Sequence, residues 1–325
     1  MPNLSFIIPV YNEEESLSEL FFRINDSCEK NGYDNFEIVI IDDGSTDSSV
    51  ERIKQIIRDH PDKKIDLICH RKNFGKAAAL QSGFDFASGD IAVTMDADLQ
   101  DDPYEVPKLL EKLGSDNGCD IVSGWKKVRH DPVEKRLPSK LFNFVTAKLS
   151  GIPIHDFNCG FKAYKKIAYK NINVYGEMHR YIPIFAKRLG FTTAEVPVNH
   201  YPRKYGHSKY GTERYLRGLF DSMTSSFLLR YGDRPMHFFG RLGLLSGLIG
   251  FAICLILVFE WIRGNSIGTR PLLTLGVLLI TIGVLFFAVG LSSEMMLDRI
   301  GQRGKKPAQI SEVIEHEKSI SHDEQ

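Results

Sequence analysis

Residues 91–102 read Ile91-Ala92-Val93-Thr94-Met95-Asp96-Ala97-Asp98-Leu99-Gln100-Asp101-Asp102, an apolar strand that runs without a break into carboxylates. Charge at the end of a buried strand is costly unless it is paired or has a ligand to bind. The same arrangement occurs twice upstream. Ile38-Val39-Ile40-Ile41 leads into Asp42-Asp43-Gly44-Ser45-Thr46-Asp47, and the apolar run over 4–10 leads into Tyr11-Asn12-Glu13-Glu14. Three polar clusters at strand ends predict one ligand-binding sheet edge, because ligands of open α/β sheets gather beyond the carboxyl ends of the strands.

Outward from these clusters, short apolar runs predict strands over 4–10, 37–41, 65–70, 91–96 and 120–123. Helical periodicity fits 14–30, 48–59, 75–87 and 103–113, with Ser45, Asp47 or Asp102 available as caps. The alternation predicts a doubly wound α/β domain with a mostly parallel sheet. Residues 126–205 read as irregular and basic. Amphipathic patterns recur at 137–149 and 209–230, where interfacial helices and ordinary core packing fit the periodicity equally well.

Two later stretches are different in kind. Residues 242–261 are apolar apart from Glu260, and 271–291 carry no charge. Each matches the ~20 residues needed to cross a bilayer. Arg230, Arg234 and Arg241 precede the first stretch and Arg299, Arg303, Lys305 and Lys306 follow the second, so the positive-inside rule places both outer flanks in the cytoplasm. The predicted organisation is a cytoplasmic α/β domain over 1–208, an amphipathic interfacial region over 209–238, two membrane helices within 239–295 and a cytoplasmic tail over 296–325. The first residues lack the pattern of a signal peptide, which agrees with a multi-pass protein of the inner (plasma) membrane.

Composition narrows the function. In 325 residues, 41 basic and 41 acidic side chains cancel, which argues against a nucleic-acid partner found by overall charge. Five widely spaced cysteines with no C-x-x-C pair suggest neither a disulfide framework nor a zinc site. The acidic strand end at 96–102 suits a hard divalent cation, magnesium or manganese. Such ions take oxygen ligands, which Asp96, Asp98 and the Gln100 amide can supply alongside substrate phosphates. The Asp42 cluster suits hydrogen bonding to a base or ribose, or else a capped turn.

The stretches IIPVYNEE, VIIDDGSTD, HRKNFGKAAAL and TMDADLQDDP resemble the family 2 glycosyltransferases of the Rossmann-like GT-A fold, over roughly the first two thirds of the chain. Within that family, DADLQDDP, NCGFKAY, the Arg203-Lys204-x-Gly206-x-Ser208-Lys209-Tyr210 pattern and two C-terminal spans resemble polyprenyl-phosphate glycosyltransferases, including bactoprenol glucosyltransferases and dolichol-phosphate mannose synthases. The resemblance implies that Pro9, Tyr11, Glu13, Asp42 and Asp43 line a nucleoside site. It implies that Asp96, with Ala97, supports the nucleotide-sugar while Asp98 and Gln100 ligate the metal, and that Lys76 contacts the nucleotide side.

For an anionic acceptor, the same pattern favours Arg129, Arg136, Arg203 and Lys209, with Ser208 assisting, as ligands of the acceptor phosphate or donor diphosphate. Solvated basic residues near anionic lipid would look the same. His179 and Arg180 are noted, and a lone histidine is not assigned as a base. The implied reaction is inverting transfer of a hexose from UDP-glucose to a polyprenyl phosphate. Other donors in play are GDP-mannose, UDP-N-acetylglucosamine and an amino-arabinose nucleotide. A homo-oligomer is expected from the short membrane hairpin. A processive synthase is disfavoured by the absence of a Q-x-x-R-W motif and by too few spans; an inactive nucleotide-binding scaffold would have lost the acidic cluster.

Overall fold

A computed structural model of the chain describes residues 2–115, 118–127, 143, 146–147, 150–174, 176, 178–202, 204, 224, 227, 231–232, 234–264, 266 and 271–303, the last six by backbone only. They fall into two compact units, Met1–Leu229 and Arg230–Gln325.

The first unit is built on seven strands: β1 Leu4–Val10, β2 Phe36–Asp42, β3 Lys64–Cys69, β4 Ile91–Thr94, β5 Ile121–Trp125, β6 Lys162–Lys165 and β7 Thr193–Pro197, in the order β3-β2-β1-β4-β6-β5-β7. β1 and β2 are rich in Ile, Val and Phe and are buried along nearly their whole length, as strands covered on both faces must be. Alternate side chains feed two separate cores. Phe6 and Ile8 pack with Leu20, Ile24, Ile53 and Leu109 of helices α1 (Leu17–Lys30), α2 (Ser49–Asp59) and α4 (Val106–Gly114). Ile7, Val39 and Ile41 pack on the other face with Leu80 and Phe84 of α3 (Lys76–Phe86), Tyr169 of the short α5 (Lys166–Tyr169) and Ile182 of α6 (Ile182–Arg188).

Register decides where function can sit. β1 runs parallel to β2 and β4, and β2 to β3, with Val10 opposite Asp42, Asp42 opposite Cys69 and Ile7 opposite Thr94. The polar turns that follow all four strands therefore emerge at one edge. The sheet departs from a wholly parallel one at β6, which runs antiparallel to β4 and β5. The stretch expected to be irregular thus contributes two strands and two helices. Among the described residues of 137–149, Asn143 and Thr146 are buried and Ala147 packs on a third core with Phe157 and Tyr181. All five cysteines are free thiols.

The opposite edge is closed by Glu37, only 2% exposed. Its carboxylate accepts from Ser5 Oγ at 2.6 Å and from Ser88 N at 2.6 Å, and pairs with Lys64. Burial alone would raise this acid, but the donors favour its charged form and bring it from 4.5 to about 2. Because the folded value lies below the unfolded one, its contribution to stability is complete above about pH 4.5 and is lost as the pH falls towards 2.

The second unit consists of α7, Met236–Ile262, and α8, Pro271–Arg303. Both are long and apolar enough to cross a membrane, and only 17% and 11% of their most apolar stretches are buried, so most of their apolar residues are partly or fully exposed. The two helices pack backbone to backbone through small residues: a Cβ on Gly250 would lie 2.6 Å from the Gly276 carbonyl oxygen. Ser246 Oγ donates to the Leu279 carbonyl at 2.8 Å, and the Glu294 carboxylate accepts from Met236 N at 3.3 Å at the open start of α7.

Replacing Glu37 by Gln should lower unfolding stability at neutral pH by roughly 1–3 kcal/mol. It should also flatten the acid dependence between pH 4.5 and 2, as read by thermal unfolding of detergent-purified protein across that range.

Candidate active site

The turns after β1 and β2 are laced together. Asn12 N donates to Ser45 Oγ at 2.9 Å, Thr46 N to Asn12 Oδ1 at 2.7 Å, Glu13 N to Ser49 Oγ at 2.9 Å and Ser48 N to Glu14 Oε2 at 2.8 Å. Asn12 takes a positive φ of 53° to make this fit. Pro9 sits opposite Ile41 at the end of β1, and Tyr11 and Glu13 are half-buried in the turn.

The adjacent acids Asp42 and Asp43 do different work. Asp42 Oδ2 accepts from Gly44 N at 3.2 Å and Ser45 N at 3.1 Å, while its Oδ1 is buried without a partner. A buried carboxylate oxygen left open at a strand end is a position for a ligand donor. Asp43 is fully engaged: it accepts from Phe74 N at 2.9 Å, Gly75 N at 2.8 Å and the His70 ring at 2.8 Å, and that ring contacts Ser82 Oγ at 2.9 Å. Asp43 thus holds the 70–75 turn, which delivers Lys76 as the first residue of α3.

Lys76 pairs with Asp96 in the turn after β4. Burial would raise the Asp96 acid, but the positive charges of Lys76 and Lys126 outweigh it and hold the carboxyl below the usual range. Asp98 is 7% exposed and accepts from Gln100 N at 3.2 Å. Leu99 between them has a φ of +61°, a strained conformation for a branched residue. The remaining acids hold the turn. Asp101 accepts from Asp96 N at 3.3 Å and pairs with Lys126 at 2.7 Å, and Asp102 caps the following helical turn by accepting from Tyr104 N at 3.2 Å. Burial would lower Lys126, and the Asp101 charge reverses that into a rise. Ala97 is buried beneath the turn.

Among the described residues no group of three or more His, Cys, Asp or Glu is placed to hold a metal by itself. An oxygen pair such as Asp98 and Gln100 fits the protein share of a hard cation that takes its other ligands from phosphate and water.

Two basic segments start from this acidic turn. Lys126 is pinned by Asp101, and on the other side His200 bridges Asp101, Tyr201 N donates to the Gln100 carbonyl at 3.1 Å and Lys204 pairs with Glu19 at 2.7 Å. Arg129, Arg136, Arg203, Ser208 and Lys209 lie outside the described residues. Three features carried no assigned role in the sequence. Gly160 lies so close to the Lys76–Asp96 pair that a Cβ there would come within 2.9 Å of Asp96 Oδ1 and 3.0 Å of Lys76 Nζ. Lys162, 2% exposed on β6, donates to the Cys159 carbonyl, and burial lowers its amine. His179 lies near the same pair, and burial, with the charges of Lys76 and Arg180, holds its imidazole well below the usual range and so neutral. The NCGFKAY run flags the first two only as a pattern.

A mostly parallel α/β sheet with acidic turns gathered at one edge of its strands is the architecture of a glycosyltransferase of GT-A type. Residues 5–172 match Glycosyl transferase family 2, and the chain belongs to that family. It is 35% identical to a dodecaprenyl-phosphate galacturonate synthase of Rhizobium johnstonii, over 90% of this chain and 87% of that protein. It is 33% identical to an undecaprenyl-phosphate 4-deoxy-4-formamido-L-arabinose transferase of Edwardsiella ictaluri, over 90% and 87%. Among solved structures, the mannosyltransferase PcManGT of Pyrobaculum calidifontis, in complex with GDP-Man and Mn2+, shares the fold with a TM-score of 0.52 at 17% identity, over 93% of this chain and 80% of that one. The glucosyl-3-phosphoglycerate synthase of Mycobacterium tuberculosis, with Mn2+ and UDP, does so with a TM-score of 0.52 at 19% identity, over 69% and 78%.

The division between the two neighbouring acids is testable. Asp43→Ala should cost roughly 1–3 kcal/mol of stability by stranding three donors, whereas Asp42→Asn should cost less than about 1 kcal/mol and instead weaken nucleoside diphosphate binding. Thermal unfolding and calorimetric titration with UDP and GDP on both variants check it.

Proposed function

We propose that this protein transfers one sugar from a nucleotide-sugar to polyprenyl phosphate at the cytoplasmic face of the inner membrane, with a divalent cation. The observation that carries this reading is the acidic turn itself, where Asp98 and Gln100 sit beside the Lys76–Asp96 pair and where Lys126, His200 and Tyr201 meet the same turn. The relatives that act on polyprenyl phosphates and the outward-facing apolar helices α7 and α8 support it.

In this scheme Asp42 receives the base or ribose through its open oxygen, and Pro9, Tyr11 and Glu13 wall the nucleoside. Asp98 and Gln100 hold Mg2+ or Mn2+, which when bound offsets charge on the donor diphosphate. Asp96, kept ionised by Lys76, orients the donor. Arg129, Arg136, Arg203 and Lys209, with Ser208, hold the lipid phosphate, arginine being suited to bidentate phosphate contacts. An acceptor phosphate oxygen is already anionic, so no general base is needed. That oxygen bonds to the anomeric carbon as the carbon–oxygen bond to the nucleoside diphosphate breaks, and the electron pair leaves with the diphosphate. Attack opposite the leaving group inverts the centre.

The donor is the finest part of the proposal. UDP-glucose follows from the sequence resemblance; the relatives add a galacturonate and a formamido-arabinose donor to the set. A homo-oligomer formed in the membrane belongs to the same proposal, and crosslinking in native membranes that traps only monomer would remove it.

Asp98→Asn should lower cation-dependent sugar transfer roughly 100-fold while leaving the unfolding temperature nearly unchanged. Arg203→Ala should raise the KM for lipid phosphate more than the KM for the donor; steady-state kinetics showing the reverse would move Arg203 to the donor diphosphate.

A further inference from the structure

His179 occupies the 3-10 turn Met178–Tyr181, which packs against α3, the helix that begins at Lys76. Its ring lies close enough to Lys76, Asp96 and Lys162 for their charges to act on it. Its Nδ1 atom is buried and has no hydrogen-bond partner. An unmet polar atom inside a protein is destabilising and calls for an occupant.

We propose that His179 is a specificity-determining residue that hydrogen-bonds the transferred sugar of the donor through Nδ1, beside the Lys76–Asp96 pair. This rests on the nucleotide-sugar reading of the site, though not on the identity of the acceptor. Burial first, then the neighbouring charges of Lys76 and Arg180, keep the imidazole neutral. A neutral imidazole presents one donor and one acceptor, which matches a sugar hydroxyl that both gives and takes a hydrogen bond. The geometry around the pair leaves little slack. Gly160 backs onto both Asp96 and Lys76 with no room for a side chain, so a sugar held at Asp96 is confined on that side by backbone.

The test uses the full chain in detergent with Mn2+. Affinities for UDP and GDP, and for UDP-glucose, UDP-galacturonic acid, UDP-N-acetylglucosamine and GDP-mannose, are measured for wild type, His179→Phe and His179→Asn. Binding needs no acceptor. For the nucleotide-sugar that wild type prefers, His179→Phe should weaken binding roughly 10-fold or more while the affinity for the matching free nucleoside diphosphate stays within about twofold. His179→Asn, whose amide can stand in for Nδ1, should recover most of the loss. Retained nucleoside diphosphate binding also shows that each variant is folded. Equal losses for free nucleotide and nucleotide-sugar, or no loss for either, would overturn the assignment. A wild-type protein that binds a nucleotide-sugar but transfers it to no polyprenyl phosphate would overturn the acceptor proposal alone.

Discussion

Four carboxylates between Asp96 and Asp102 must be accommodated in a single turn, and three of them are almost wholly buried. Buried charge of one sign is stable only where cations and N–H donors meet it. The structure satisfies this constraint from both sides: Lys76 reaches Asp96 from the start of α3, and Lys126 reaches Asp101 from the end of β5. Each cation is delivered by a different element of the sheet, so the acidic turn fixes the relative placement of α3, β5 and the segment at 200–204. Asp43 lies one step further back, because it holds the turn that aims Lys76.

The central strands and the clusters at their ends were legible in the sequence because apolar runs buried on both faces carry a strong signal, and because carboxylates after such runs have few explanations. The role of each acid was not. Asp42 and Asp43 are chemically identical neighbours and both are buried, and only the fold leaves one oxygen of Asp42 without a partner while the 70–75 turn engages Asp43. β6 and β7 were missed for a related reason: Lys162-Ala163-Tyr164-Lys165 begins and ends in lysine, and Thr193–Pro197 includes Glu195 and a proline, so neither looks like a buried strand. Lys162 is buried because β6 is wedged between β4 and β5, a pairing that no local pattern encodes.

The apolar C-terminal hairpin was legible by length alone. Its packing was not, since the close approach at Gly250 and Gly276 depends on which faces of the two helices meet. His179 illustrates the limit most clearly. In the sequence it is a lone histidine, and only the packing of its 3-10 turn on α3 brings it to the Lys76–Asp96 pair.

The central claim is transfer of a sugar to a lipid phosphate, and it is tested most directly with purified full-length protein, polyprenyl phosphate, a panel of radiolabelled UDP- and GDP-sugars and either magnesium or manganese. The account predicts that label from a preferred donor enters organic-extractable lipid and that a chelator abolishes the transfer. Absence of lipid-linked label from every donor, in a protein that still binds nucleotide, would contradict it.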